Sequence, residues 1–177
     1  SDFFLTALAE GKADYFGTSV LNGNGSHSRY INRIGADGLA KWMAKMDASM
    51  LTTYTSYNVS QNYTAVDSQD NFYVLLNLDP NGTPKLTDAI GTVISFNQRI
   101  YSDWRVLIKL DKDGKYLWSK EISGSEIAGI SVDKNDNVYV TGVSGNLLVS
   151  GTNYNNSGNS GYYFLKFSNG GSLSYSK

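Results

Sequence analysis

The sequence predicts an all-β fold built from a four-stranded unit that occurs about three times. Three observations lead to this prediction. The strand-like segments are short and rich in aromatic and β-branched residues, Gly, Asn and Asp bound them closely, and two motifs recur in alternation. The composition agrees, because 18 Gly, 13 Tyr and only 2 Pro among 177 residues suit many turns and short strands.

The first motif has the pattern D-x-x-D-N-(F/V)-Y-V. It occurs at residues 67–74 and again at residues 133–140, and residues 2–7 resemble residues 137–142. Asp and Asn side chains cap tight turns, while the aromatic and β-branched residues that follow favour a strand. Each complete copy therefore predicts a strand, a tight turn and a second strand.

The second motif is a Gly-containing turn that leads to an aromatic residue. Its copies lie at residues 34–42, 110–118 and 167–175, and they end on Trp42, Trp118 and Tyr175. An aromatic residue that recurs once per unit is typical of packing between units. The spacing between the two motifs varies, which indicates loops of different length inserted into a constant unit.

Each unit is predicted to hold four strands, named a to d. Residues 37–50 also carry apolar residues at helical spacing, but the repeat favours a strand there. The predicted strands are a at 63–67 and 128–133; b at 72–76 and 138–142; c at 30–34, 105–110 and 162–167; and d at 39–43, 116–120 and 172–176.

Short four-stranded antiparallel units in tandem are typical of a β-propeller. The predicted blades are residues 1–50, which lack the innermost strand, residues 60–122 and residues 126–177. The two complete blades should stack face to face, because a single sheet cannot bury both of its faces. A closed propeller has about 4–8 blades, so we expect part of a larger ring that further blades or neighbouring subunits complete.

The string D-N-V-Y-V-T-G at residues 136–142, followed by F-L-K-F and by G-x-L-x-(W/Y)-S, resembles bacterial β-propeller repeats of the SBBP type. The resemblance implies blades of a surface, secreted or virion-associated protein. This chain departs from it in long insertions between strands b and c. Residues 111–118 also resemble the tryptophan-docking repeat of quinoprotein propellers, which are enzymes with a cofactor on the ring axis, but Y-V-T-G favours the SBBP type.

No catalytic residue, metal site or cofactor is predicted. His27 is the only histidine and is expected in a polar loop, and no G-x-S-x-G or paired His/Cys spacing occurs. Residues 111–114 match only part of a calcium loop, so turn formation explains them better. Four carboxylates in the predicted loops leave a glycosidase open without selecting a pair: Glu10, Asp88, Asp103 and Glu126.

The predicted loops distinguish two sides of the blades. The a–b and c–d turns are tight and share one side, which should offer little surface for a pocket. The b–c and d–a loops share the other side at residues 8–29, 47–62, 77–104, 119–127 and 143–161. Because they are rich in Tyr and Asn, as binding loops often are, they hold the candidate ligand-binding residues. These are Tyr54, Tyr57, Arg99, Tyr101, Tyr154 and Asn155.

The expected function is therefore a non-catalytic scaffold or binding module of an extracellular, cell-surface or virion-surface protein. Its partner would be a receptor, a glycan or a neighbouring subunit. The net charge of −1 gives no basic field for nucleic acid, and no apolar run predicts membrane insertion. The alternatives are a fragment of a propeller enzyme, either quinoprotein-like or a glycosidase, and a purely structural assembly subunit.

Overall fold

A computed structural model of the chain describes residues 2–10, 12–15, 18–21, 27–47, 63–78, 82–96, 104–154 and 161–176. All regular structure in these ranges is β, and the strands pair antiparallel. The all-β prediction is confirmed. In the same ranges, no helix is long and apolar enough to cross a membrane.

The first blade begins with three strands from the start of the chain. β1 (Phe3–Glu10), β4 (His27–Ile34) and β5 (Ala40–Asp47) pair in that order, while β2 (Lys12–Tyr15) and β3 (Thr18–Leu21) form a separate hairpin between β1 and β4. β5 occupies most of the segment with helical spacing, so the strand predicted from the repeat is confirmed there.

The second blade contains the four strands predicted for it. β6 (Tyr63–Val66), β7 (Phe72–Asn77), β10 (Trp104–Leu110) and the first part of β11 (Tyr116–Val132) pair in that order. The two middle strands, β7 and β10, are almost entirely buried, because neighbouring blades cover both of their faces.

A hairpin from the second blade completes the edge of the first. β8 (Lys85–Thr87) and β9 (Val93–Ser95) lie between β7 and β10 in the chain, and β8 pairs with β5. Met46 lies opposite Leu86 in this pairing, and both side chains are buried. The prediction that residues 77–104 form one long loop is therefore wrong for residues 85–95, because apolar residues there extend the sheet.

The third blade continues directly from the second. β11 runs for 17 residues and pairs with β12 (Val138–Val149) through two shifts of register, and β12 is followed by β14 (Gly161–Phe167) and β15 (Leu173–Ser176). The loop predicted at residues 119–127 is wrong, because the strand continues through these shifts without interruption. Strands d and a are thus one strand, and the two predicted four-stranded sheets are joined.

The three blades stack on one another, as predicted for the two complete ones, with an apolar core between each neighbouring pair. Successive residues of β7 point to opposite faces, so Phe72 and Val74 lie in the core shared with the first blade, and Tyr73 and Leu75 in the core shared with the third. The Phe4 ring of the first blade stacks on Phe72 with 4.5 Å between ring centres. Each interface is therefore a packed core that fixes the blades relative to each other.

Candidate functional site

The c–d turns of the three blades have the same geometry. In each turn the N–H of the first residue donates to the carbonyl of the fifth, and the N–H of the fourth residue donates to the carbonyl of the first. The fourth residues are Gly38, Gly114 and Gly171, with φ of 79°, 80° and 83°. Glycine adopts a positive φ at no steric cost, so the turn explains the glycines in the motif.

A tryptophan from the preceding blade covers two of these glycines. The Trp42 Nε1 donates to the Lys112 carbonyl at 2.8 Å, and the Trp118 Nε1 donates to the Asn169 carbonyl at 2.9 Å. A Cβ added at Gly114 or Gly171 would lie 2.6 or 2.8 Å from the respective indole ring. The interpretation of these two tryptophans as contacts between blades is confirmed.

The a–b turns use their carboxylates to hold the backbone. Asp67 and Asp133 each accept N–H groups two and four residues further on, together with the side-chain amide of Asn71 or Asn137. Hydrogen bonds from Asn137 hold the pKa of Asp133 well below its ordinary value, and they outweigh the raising effect of burial. These carboxylates therefore serve as turn formers.

The penultimate residue of strand c brings a cation close to an aromatic ring of strand b in every blade. Such contacts are attractive because the face of an aromatic ring is negative. The cation lies 5.6 Å from the ring centre for Arg33 and Phe4, 4.9 Å for Lys109 and Tyr73, and 5.4 Å for Lys166 and Tyr139.

In the second blade this cation belongs to a buried cluster that reaches the third. The Lys109 Nζ lies 3.0 Å from Asp67 Oδ2, and these side chains are 2% and 0% exposed. Tyr73 donates its hydroxyl to the same Asp67 oxygen at 3.2 Å. On its other side, the Lys109 Nζ contacts the side-chain Oδ1 of Asn169 in the c–d turn of the third blade. Asp67 and Tyr73 belong to the first sequence motif, but no sequence signal connected them to Lys109 and Asn169, which lie far apart in the chain.

Electrostatics inside the cluster follow from burial and hydrogen bonding. Burial acts to raise the pKa of the Asp67 carboxyl, but hydrogen bonds from Asn71 and Lys109 outweigh it and hold that pKa below its ordinary value. Burial, followed by the nearby charge of Asp67, raises the pKa of Tyr73. Asp67 is thus a carboxylate, and Tyr73 is a neutral hydroxyl that donates to it.

An open cleft of about 410 Å³ lies on the tight-turn side, where little surface for a pocket was expected. It lies between the first blade and the c–d turn of the second, since Lys112 and Asp113 of that turn line it together with residues of the first blade. Its charges pair within the chain, with Arg33 2.9 Å and Lys41 3.2 Å from Asp2. The lining residues are Asp2, Arg33, Lys41, Trp42, Lys112 and Asp113.

Of the predicted ligand-binding residues, Tyr154 is described by the structure. It follows the short strand β13 (Thr152–Asn153), is 36% exposed, and donates its N–H to the Leu147 carbonyl at 2.8 Å. The other predicted residues lie outside the described ranges: Tyr54, Tyr57, Arg99, Tyr101 and Asn155.

The residues considered for catalysis are not brought together in the described part of the chain. Asp88 is buried and accepts N–H groups from Ile90, Thr92 and Tyr116, which makes it a turn former. Glu126 is exposed. The side chain of Glu10 and all of Asp103 lie outside the described residues. His27 begins β4 and is not in a loop, which corrects that prediction.

Comparison with known proteins identifies the repeat. Residues 117–152 match the family model described as SBBP, beta-propeller repeat. The match spans most of β11, the a–b turn and all of β12, which are strands d, a and b of adjacent blades. The resemblance to SBBP-type repeats and the propeller prediction are thereby confirmed. Among curated proteins, none matches this chain.

Proposed function

We propose that this run of SBBP-type propeller blades is a non-catalytic binding scaffold of an extracellular or virion-surface protein. It contacts a receptor or glycan through the long b–c and d–a segments. The resemblance to repeats of surface, secreted and virion-associated proteins supports that location. The stacked blades supply a rigid support, and segments of variable length on a rigid support are where binding residues concentrate.

The observation that carries this proposal is an arm that extends from the third blade on the long-segment side. β12 continues past the blade to Val149, which pairs with Ile122 of β11. The chain then turns back through β13, and the Ser150 N–H donates to the Glu121 carbonyl at 2.8 Å. Because Leu147 and Val149 are buried, the arm is held in place by the core between blades.

Tyr154 is presented at the end of this arm. Its backbone N–H is fixed to Leu147, while its side chain is exposed. A tyrosine on a fixed backbone offers apolar area and a hydroxyl at a low entropic cost, which is why tyrosine is common in binding surfaces. By contrast, the tight-turn side uses its carboxylates and carbonyls for contacts within the chain.

The test is binding of the labelled chain to intact cells and to an immobilised panel of surface glycans. We expect Tyr154→Ala to weaken binding by about tenfold or more, the effect of losing an aromatic anchor. Lys134→Ala, at an exposed position of a tight turn, is the matched control and should bind normally. Loss of binding from Lys134→Ala alone, or no binding by the parent chain, would overturn the proposal.

A structural assembly role is also favoured by one observation. Tyr162 and Phe164 of the third blade are 89% and 37% exposed, on the face that points away from the second blade. Leu107, at the position of Phe164 in the second blade, is fully buried under the third. A further blade docked here would bury the exposed pair.

Appending a second copy of residues 126–177 tests this role. The extra blade should raise the unfolding midpoint and protect β14 from hydrogen exchange. An unchanged midpoint and unchanged exchange would exclude the docking of a further blade on this face.

A further inference from the structure

The contact between Lys109 and Asn169 places a primary amine against a side-chain amide. The Nζ contacts Oδ1 of Asn169 and lies 3.4 Å from its backbone carbonyl oxygen. The electrophilic Cγ is the carbon that carries Oδ1, so the nucleophile and the carbon it would attack are neighbours. The Lys109 side chain is 2% exposed, which shields the amine from bulk water.

A carboxylate is positioned to move the protons of this pair. Asp67 Oδ2 lies 3.0 Å from the Lys109 Nζ, and its side chain is fully buried. The contact gives a proton of Lys109 a direct route to Asp67, and loss of that proton produces the nucleophilic neutral amine.

We propose that Lys109 and Asn169 become joined by an intramolecular isopeptide bond between Nζ and Cγ, which links the second blade covalently to the third. The neutral Nζ attacks Cγ, the new C–N bond forms, and the bond from Cγ to the amide nitrogen breaks. Nζ gives up two protons in total. One reaches the departing nitrogen, which leaves as ammonia, and the other passes through Asp67 to solvent.

Both reacting groups are held in place before reaction. The backbone carbonyl of Asn169 accepts a hydrogen bond from the Trp118 indole N–H at 2.9 Å. The turn that carries Asn169 is closed by the hydrogen bond from the Gly171 N–H to the Ser168 carbonyl. Lys109 lies near the end of the buried strand β10, over the Tyr73 ring. Because the two groups are already held together in the folded chain, the reaction does not have to meet the entropy cost of bringing them together.

The repeat itself supplies internal comparisons. At the interface between the first two blades, Arg33 takes the position of Lys109 and contacts the backbone carbonyl of Lys112, which takes the position of Asn169. A guanidinium and a lysine cannot form this amide. Lys166 lies over Tyr139 beside the turn of Asp133, as Lys109 lies over Tyr73 beside Asp67. Within the described residues, Lys166 has no contact with an Asn side chain, so it should remain a free amine.

The test is the intact mass of the folded full-length chain under denaturing conditions. Bond formation should lower the mass by about 17 Da, the mass of the ammonia that is lost. Lys109→Arg and Asn169→Ala should keep the full sequence mass. Each substitution introduces the residue that the first blade carries at the equivalent position, which is Arg33 for Lys109 and Ala36 for Asn169. Asp67→Asn should also prevent the loss, while Lys166→Arg and Asp133→Asn should leave it unchanged.

Peptide mapping separates this bond from a succinimide at Asn169–Gly170, which also releases ammonia. The isopeptide bond gives a branched peptide that joins Lys109 to Asn169 and resists tryptic cleavage after Lys109. A succinimide gives no branched peptide and persists in Lys109→Arg. A parent chain with the full sequence mass after prolonged incubation at neutral pH, or a mass loss that survives Lys109→Arg, would overturn the proposal. Neither result depends on the fate of the binding proposal.

Discussion

Replacing Trp42 with alanine should lower the free energy of unfolding by about 3–5 kcal/mol, the usual cost of truncating a large packed aromatic side chain. The indole lies against Gly114 of the next blade and 5.9 Å from the Phe4 ring. Its hydrogen bond to the Lys112 carbonyl contributes about 1 kcal/mol of the total. Because the ring is only partly buried, we expect a value near the lower end.

Urea unfolding followed by far-ultraviolet circular dichroism measures this loss. Trp118→Ala should lower the free energy of unfolding by a similar amount. Trp42→Phe keeps an aromatic ring but removes the N–H donor, so it should lower the free energy of unfolding by less than Trp42→Ala does. Leu117→Ala is the matched control, because Leu117 is 44% exposed and its truncation should change stability by less than about 0.5 kcal/mol. If Trp42→Ala cost no more than Leu117→Ala, the tryptophans would not hold the blades together.

Two further predictions concern the turns. Gly114→Ala should destabilise the chain more than Gly38→Ala in the same unfolding assay, because both glycines have nearly the same positive φ but only Gly114 faces an indole; equal losses would mean that backbone strain is the whole cost. The pKa of Asp133 is depressed by its hydrogen bond from Asn137, so its contribution to stability is complete above about pH 4 and is lost as the pH falls below that value. Asp133→Asn should therefore flatten the acid side of the curve of unfolding midpoint against pH, and a slope identical to the parent's would show that this carboxylate does not contribute.

The strands and turns could be predicted because the repeat places the same local chemistry at the same positions. Asp67 and Asp133 cap the same turn, and Gly114 and Gly171 adopt the same backbone conformation. The apolar residues at 37–50 have helical spacing, but the repeat aligns Trp42 with Trp118 and therefore predicted a strand there. Local physics and the repeat agreed at these positions, so comparing the copies was sufficient.

The errors arose where tertiary pairing decides the structure. β11 passes through residues 119–127 as a strand because β10 and β12 supply partners on both sides, and its sequence there resembles a loop. The β8–β9 hairpin had a signal that could have been used. Asp88 and Gly91 have the spacing of Asp111 and Gly114, and they form the same turn.

The candidate site was predictable only in part. Tyr154 could be proposed from composition, but the arm that holds it depends on the pairing of Val149 with Ile122, which no local pattern reveals. The Lys109–Asn169 pair was not predictable, because the stacking of two blades brings these residues together. Each residue alone looks like an ordinary surface group of its own blade.

The hairpin that the second blade lends to the first has a consequence for synthesis on the ribosome. The chain emerges from its N-terminus, so β1, β4 and β5 are available before residues 85–95 exist. Until β8 arrives, the outer edge of β5 has an unpaired backbone and Met46 lacks its partner Leu86. The first blade therefore cannot complete its folding early and must wait for part of the second. We expect arrested nascent chains that end before residue 85 to be digested readily by protease, and chains that also expose β10, which completes the core between the first two blades, to be protected.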